Sequence, residues 1–137
     1  MNLRSLATKI AWANYGLPYR WGGDDPLAGF DCSGLCIEIL KSVGILPRNF
    51  DTTANGLYQR FTKAISPSEG CLVFWRGSGQ SMIHVEYCID SVHSIGASGG
   101  GSSTISTQAA IDQNAYIKVR PIMNRGSIPV FADPFGA

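Results

Sequence analysis

Residues Tyr19 to Val43, YRWGGDDPLAGFDCSGLCIEILKSV, decide how the rest of the chain is read. The stretch opens as a loop, because Gly22, Gly23, Pro26 and Gly29 punctuate it too often for a regular element. After Asp31 the character changes. Leu35, Cys36, Ile39, Leu40 and Val43 recur at helical spacing until Gly44 and Pro47 stop the pattern. Asp31 is a good N-cap type, which places Cys32 in the first helical turn. A thiol there faces unpaired backbone N–H groups and the positive end of the helix dipole, and both favour a negatively charged sulfur. The Asp31 carboxylate acts in the opposite sense, so a partner imidazole is needed. Cys32 also shares the stripe of Leu35, Cys36 and Ile39, which directs it toward the protein rather than into bulk water. The pattern suits a nucleophilic cysteine at a helix start, behind a glycine-rich loop.

The flanking segments read as supports for that helix. Leu3, Leu6, Ala7, Ile10 and Asn14 fall on one face of a helix over 3–15 that ends at Gly16 and Pro18. Asp51 or Thr52 caps another helix carrying Ala54, Leu57, Tyr58 and Phe61, although Gly56 weakens it. Beyond Ser66–Gly70 strands take over, with Cys71–Trp75, then Met82–Ile89 and Val92–Ala97 around a turn at Asp90-Ser91. Gly99–Ser103 is a flexible loop and not a phosphate cradle, since no lysine with a following hydroxyl residue accompanies it. Thr107–Asn114 is a short helix, Tyr116–Ile122 a strand, and the tail from about residue 124 has no assignment. Helices first and strands after predict one α+β domain over 1–137, with N-terminal helices packed on a central antiparallel sheet.

The totals narrow the function. A chain of 137 residues with 45% apolar and 15% charged residues describes one folded domain. A net charge of +1 argues against a nucleic-acid partner or a membrane surface bound through bulk charge. No apolar run approaches membrane-spanning length. Of the four cysteines, Cys36, Cys71 and Cys88 sit in apolar stripes and read as buried hydrophobes. No Cys-x-x-Cys pair exists, so no metal site is expected.

A thiolate needs a base, and the chain has two histidines. His84 lies near the start of the strand Ile83-His84-Val85-Glu86-Tyr87-Cys88-Ile89. With a hairpin centred near Asp90, His84 falls opposite Gly96, and 84, 86, 94, 96 and 98 share one face. His93 points to the other face. By that parity His84 is the base and His93 a surface residue.

Tyr19-Arg20-Trp21-Gly22-Gly23, followed by Phe30-Asp31-Cys32-Ser33-Gly34-Leu35, resembles the nucleophile motif of NlpC/P60 cysteine peptidases. The likeness continues in order through Thr52-Thr53, the Ser68-Glu69-Gly70 turn and His84-Val85. It implies a papain-like NlpC/P60 fold and, for function, a cysteine endopeptidase cutting peptidoglycan stem peptides at γ-D-glutamyl amides. By the same resemblance Cys32 is the nucleophile and His84 the general base. The Tyr19 hydroxyl and the Cys32 N–H are donors to the oxyanion, and Asp31 and Ser33, beside Trp21, hold the amine end of the substrate. In that family a polar residue on the next strand orients the imidazole. The aligned residue here is Gly96, which leaves its backbone carbonyl, a water, Ser94 or Ser98 for the task. No cofactor is implied. Two other readings share the residues: an amidase or acyltransferase on a non-wall amide, and a binding module without turnover.

The N-terminal residues form an amphipathic pattern and not a secretory signal. The expected route is therefore synthesis in the cytoplasm and action at the wall after release, or carriage on a partner protein or a larger particle such as a phage.

Overall fold

The structure, a computed structural model, describes residues 2–25 and 29–136. Pro26, one of the residues that punctuate the loop, lies outside them.

Helix α2 (Cys32–Ser42) is built as its sequence dictates. Asp31 caps it in an extended conformation and accepts from the Gly34 N–H, and Leu35, Cys36, Ile39 and Leu40 are fully buried. Packed with it are α1 (Leu3–Ala13), capped by Asn2, and α3 (Ala54–Arg60). The α3 cap is Thr53, not Asp51 or Thr52, because its hydroxyl is the group that meets the Gly56 N–H. Thr52 instead packs its side chain against Gly56, where no Cβ would fit.

The loop before α2 contains a two-stranded ladder, β1 (Asp24–Asp25) with β2 (Gly29–Phe30), where the sequence reading had only loop. The main sheet comes after the helices: β3 (Thr62–Ala64), β4 (Leu72–Arg76), β5 (Met82–Cys88), β6 (His93–Ser98), β7 (Tyr116–Pro121) and β8 (Val130–Asp133), with α4 (Thr107–Asp112) before β7. Its order is β3-β8-β4-β5-β6-β7, antiparallel throughout. The fold is the expected α+β architecture, with N-terminal helices on a six-stranded antiparallel sheet.

Leu72, Phe74, Val85, Tyr87, Ile95 and Ala97 join the helices in one core, while Val73, Trp75, Cys88, Ile122 and Phe131 form a smaller cluster from the alternate positions. Cys36, Cys71 and Cys88 are free and buried, as hydrophobic residues would be. Among the described residues no helix is long and apolar enough to cross a membrane.

The segment without a sequence assignment is a structural element. β8 inserts between β3 and β4, with Lys63 opposite Ala132 and Val73 opposite Phe131. Arg4 clamps the end of β8 and the residues after it. It donates to Asp133 at 2.7 Å and to the Glu69 carbonyl at 3.1 Å, and stacks 5.2 Å from the Phe135 ring.

The β5–β6 hairpin keeps the expected parity but shifts its register. Tyr87 pairs with Ile95 and Cys88 with Ser94, two residues along from the expected pairing. The physical reason is the turn, where the Asp90 carboxylate accepts from the Val92 and His93 N–H groups, so that Val92 stays in the loop and β6 starts at His93.

Candidate active site

The α2 N-terminus, the loop before it and the start of α3 surround a groove of about 400 Å³. Tyr19, Trp21, Asp31, Cys32 and Ser33 all line it. The loop is seated on the helix by close backbone approach: a Cβ on Gly34 would come within 2.1 Å of the Gly23 carbonyl oxygen. Asp31 ties the two together, accepting from Gly34 N at 2.7 Å and from Gly22 N at 3.2 Å, with the Ser33 hydroxyl 3.4 Å away. Burial raises the Asp31 pKa and those hydrogen bonds oppose the rise.

Tyr19 is only 5% exposed, and Gly100 of the glycine loop lies against its ring. Burial, together with the nearby Cys32 and Asp31, pushes the phenol's pKa up, so its hydroxyl stays a proton donor. Trp21 is half exposed, and its backbone N–H is fixed to the Thr104 carbonyl at 2.8 Å.

His84, on β5, lines an adjoining pocket with Trp75 and Arg125, and Ile83 lines both that pocket and the groove. Pairing of β5 with β4 slips between Trp75 and Arg76, which leaves Ile83 as a bulge residue beside the histidine. The His84 ring sits 5.5 Å from the Trp75 ring, and Cys32 is close enough to be among the groups that raise its pKa. One ring nitrogen is already taken: Nε2 is 2.7 Å from Oε2 of Glu86. Nδ1 is therefore the nitrogen available to the sulfur.

Glu86 corrects the expectation placed on Gly96. The imidazole is oriented by a carboxylate on its own strand, two residues on, and not by the Gly96 backbone. Gly96 contributes space: a Cβ there would lie 2.2 Å from the Glu86 Cγ. Ser94 takes part indirectly, donating its hydroxyl to the other carboxylate oxygen, Oε1, at 2.7 Å. Ser98 is buried with no hydrogen-bond partner for its hydroxyl. His93, 44% exposed, pairs with Asp90 away from the site, as its parity required.

Glu86 is 1% exposed, so an ionised carboxylate there needs strong compensation. Burial raises its pKa, but the His84 hydrogen bond and charge, Arg125 and Ser94 outweigh burial and bring it to about 2. For His84 burial acts downward, and Cys32 and Glu86 outweigh it, lifting the pKa to about 9. A carboxylate ionised at neutral pH accepts only, so the Nε2–H donates to Glu86 and the tautomer is fixed. The cluster therefore holds a half-buried thiol, an imidazole of set orientation and a buried anion behind it, beside a phenol that donates. That set of groups can carry out acyl transfer through sulfur.

The sequence reading missed Glu86, although it had placed 86 on the His84 face. The signal was an acidic residue inside the strand Ile83–Ile89, where every other residue but His84 is apolar or aromatic.

The NlpC/P60 family model matches residues 16–121. The murein DD-endopeptidase MepH of Escherichia coli K12 is 34% identical over 128 residues, which cover 85% of this chain and 46% of that protein. The chain spans less than half the length of the curated relatives it matches. Among solved structures, the NlpC/p60 domain of the peptidoglycan hydrolase SagA superposes with a TM-score of 0.71 at 26% identity, covering 97% of this chain and 98% of that one. RipD of Mycobacterium tuberculosis, described as a non-catalytic NlpC/p60 domain protein, superposes with a TM-score of 0.69 at 16% identity over 96% of this chain and 97% of its own. That last likeness concerns the fold alone. With most of its length matched and its fold shared, the chain belongs to the NlpC/P60 family.

Proposed function

We propose that this chain is a cysteine endopeptidase that hydrolyses an amide of peptidoglycan stem peptides, of the γ-D-glutamyl type, through an acyl-enzyme on Cys32. The observation that carries the reading is the Cys32–His84–Glu86 alignment, with Nε2 of His84 held 2.7 Å from a buried carboxylate. The Cys32 sulfur attacks the substrate carbonyl, and the oxyanion that forms takes hydrogen bonds from the Cys32 N–H and the Tyr19 hydroxyl. His84 gives its proton to the departing amine as the C–N bond breaks. It then takes a proton from water, whose oxygen attacks the thioester and returns the sulfur. Glu86 keeps the ring in one tautomer and stabilises the imidazolium without accepting its proton.

Family membership and the groove together support the substrate class. Asp24, Asp31 and Asp51 line the groove with Ser33, and this acidic lining suits the free ammonium of a stem peptide beside the nucleophile. The relatives' names point to different bonds. MepH is a DD-endopeptidase, whereas CwlT of Bacillus subtilis, 38% identical over 91 residues, is a muramidase/DL-endopeptidase. The acidic lining favours the γ-glutamyl bond. The alternative of binding without turnover drew its motive from Gly96, and the 2.7 Å contact between His84 and Glu86 weighs against it.

Digestion of defined muropeptides, with mass analysis of the fragments, tests the proposal. A new amine at the γ-glutamyl position with wild-type protein and none with Cys32→Ala is the expected result. Cleavage only at a cross-link would reassign the bond, and no new amine from any muropeptide would overturn the reading.

A further inference from the structure

Arg125 lies beyond the residues matched by the family model, in the connection between β7 and β8, yet its side chain is 9% exposed. Every branch of its guanidinium is committed. Nε donates to the Pro121 carbonyl at 2.7 Å, Nη1 to Glu86 Oε1 at 2.9 Å and Nη2 to the Ser94 hydroxyl at 3.0 Å. The plane is backed by the Trp75 ring, 4.7 Å from the guanidinium carbon, and that ring also flanks His84. Ser94 closes the ring of contacts by donating to the same Oε1. Glu86 is thus divided by oxygen atom: Oε1 belongs to Arg125 and Ser94, and Oε2 to His84.

This division has a chemical use. During turnover His84 alternates between imidazolium and neutral imidazole. When the ring is neutral, a carboxylate buried to this degree loses its nearer counter-charge and needs another. The other groups facing Glu86 do not supply one at contact distance. Cys36 on α2 and Cys88 on β5 are near it as thiols, and Lys118 on β7 acts from farther off while spending its ammonium on the Asn114 carbonyl. Arg125 is the fixed cation of the cluster, and a planar fork fixes direction as well as charge.

We propose that Arg125 is a positioning residue for the reaction, acting through Glu86: it keeps that carboxylate charged and aimed at His84 throughout the cycle. The proposal rests on the cysteine-hydrolase reading and extends the machinery past the family-matched segment.

The test compares Arg125→Met and Arg125→Lys with wild type, on the intact chain, by pH profiles of kcat/KM on a cleaved muropeptide and of Cys32 alkylation by iodoacetamide. Removing a buried positive charge makes the Glu86 carboxylate and a Cys32 thiolate easier to protonate and an imidazolium easier to keep. Arg125→Met is therefore expected to move both limbs of the profile to higher pH by roughly one unit. It should also lower kcat by roughly ten- to a hundredfold with KM changed less than threefold. Arg125→Lys keeps the charge and loses the fork, so the limbs stay in place while part of kcat is lost. Because Arg125→Met leaves a buried carboxylate short of a cation and lowers stability, a second comparison is made in a Glu86→Gln background, where adding Arg125→Met should lower kcat no further. Unmoved limbs in Arg125→Met, or an equal loss of kcat from that change with and without Glu86, would overturn the proposal. If wild type cleaves nothing, the hydrolase reading fails on its own, and the alkylation profile still decides whether Arg125 sets the charge state of the cluster.

Discussion

The two sides of the site are assembled in opposite ways. Cys32, Asp31, Ser33, Tyr19 and Trp21 all come from one short stretch, and a single helix start with its preceding loop arranges them. His84 is oriented by Glu86 of its own strand, and that carboxylate is held by residues far apart in sequence, Ser94 from β6 and Arg125 from beyond β7, with Trp75 from β4 beside the ring. The nucleophile's surroundings are therefore set by local backbone geometry, and the base's surroundings by the completed sheet. Local geometry leaves a motif in the sequence. Tertiary assembly leaves only isolated residues of unexpected polarity.

The contrast can be broken or sharpened experimentally. The largest effect belongs to the base side: Glu86→Gln keeps shape but no longer fixes the tautomer, and should lower kcat by roughly 10² to 10⁴-fold with little change in KM, read by steady-state kinetics on a muropeptide. An activity close to wild type would show that another group orients His84. On the nucleophile side, Gly34→Ala sets a Cβ 2.1 Å from the Gly23 carbonyl oxygen, backbone that cannot step aside. It should cost about 2–4 kcal/mol in urea unfolding, and activity should fall with it as the loop lifts from the helix. An unchanged midpoint would mean that the loop does not sit against the helix at Gly34.

A third experiment reads the ion pair through stability. The His84 pKa is raised to about 9, so its contribution is fully present below the ordinary value of 6.5 and is lost as pH rises through 9. The Glu86 pKa is lowered to about 2, so its contribution is present above the ordinary carboxylate range and is lost as pH falls toward 2. Both describe one pair and are not added. Stability should be highest between roughly pH 5 and 6.5 and fall by about 1–2 kcal/mol on the alkaline side, and Glu86→Gln should flatten that fall. The smallest effect is expected from Tyr19→Phe, which deletes one donor from the groove: roughly tenfold in kcat with an unchanged unfolding midpoint. A larger loss, accompanied by destabilisation, would make Tyr19 a packing residue instead.

How far each part could be read in advance tracks the same division. The stripe of Leu35, Cys36, Ile39 and Leu40 and the Asp31 cap sufficed for α2, because a helix is specified by its own residues. Parity along β5 and β6 put His84 and His93 on opposite faces, as the structure has them, since alternation survives any even register shift. The shift itself depended on the Asp90 carboxylate gathering two N–H groups, a detail of turn geometry that composition does not announce. β8 escaped because Val130-Phe131-Ala132-Asp133 is brief and comes directly after Pro129, and its partners are β3 and β4, which are remote in the chain. Glu86 escaped for another reason. An acidic residue in a strand is ordinarily solvent-facing, and only the packed structure shows that Gly96 has cleared a buried place for it.

The insertion of β8 also orders events in time. β3 and β4 are made early, but neither neighbours the other, and the gap between them waits for residues 130–133. The same late segment brings in Arg125. A growing or clipped chain that stops short of it carries the cysteine and the histidine but neither a closed sheet nor the cation behind the relay. On the proposed function, cleavage is therefore expected only once that segment has been made.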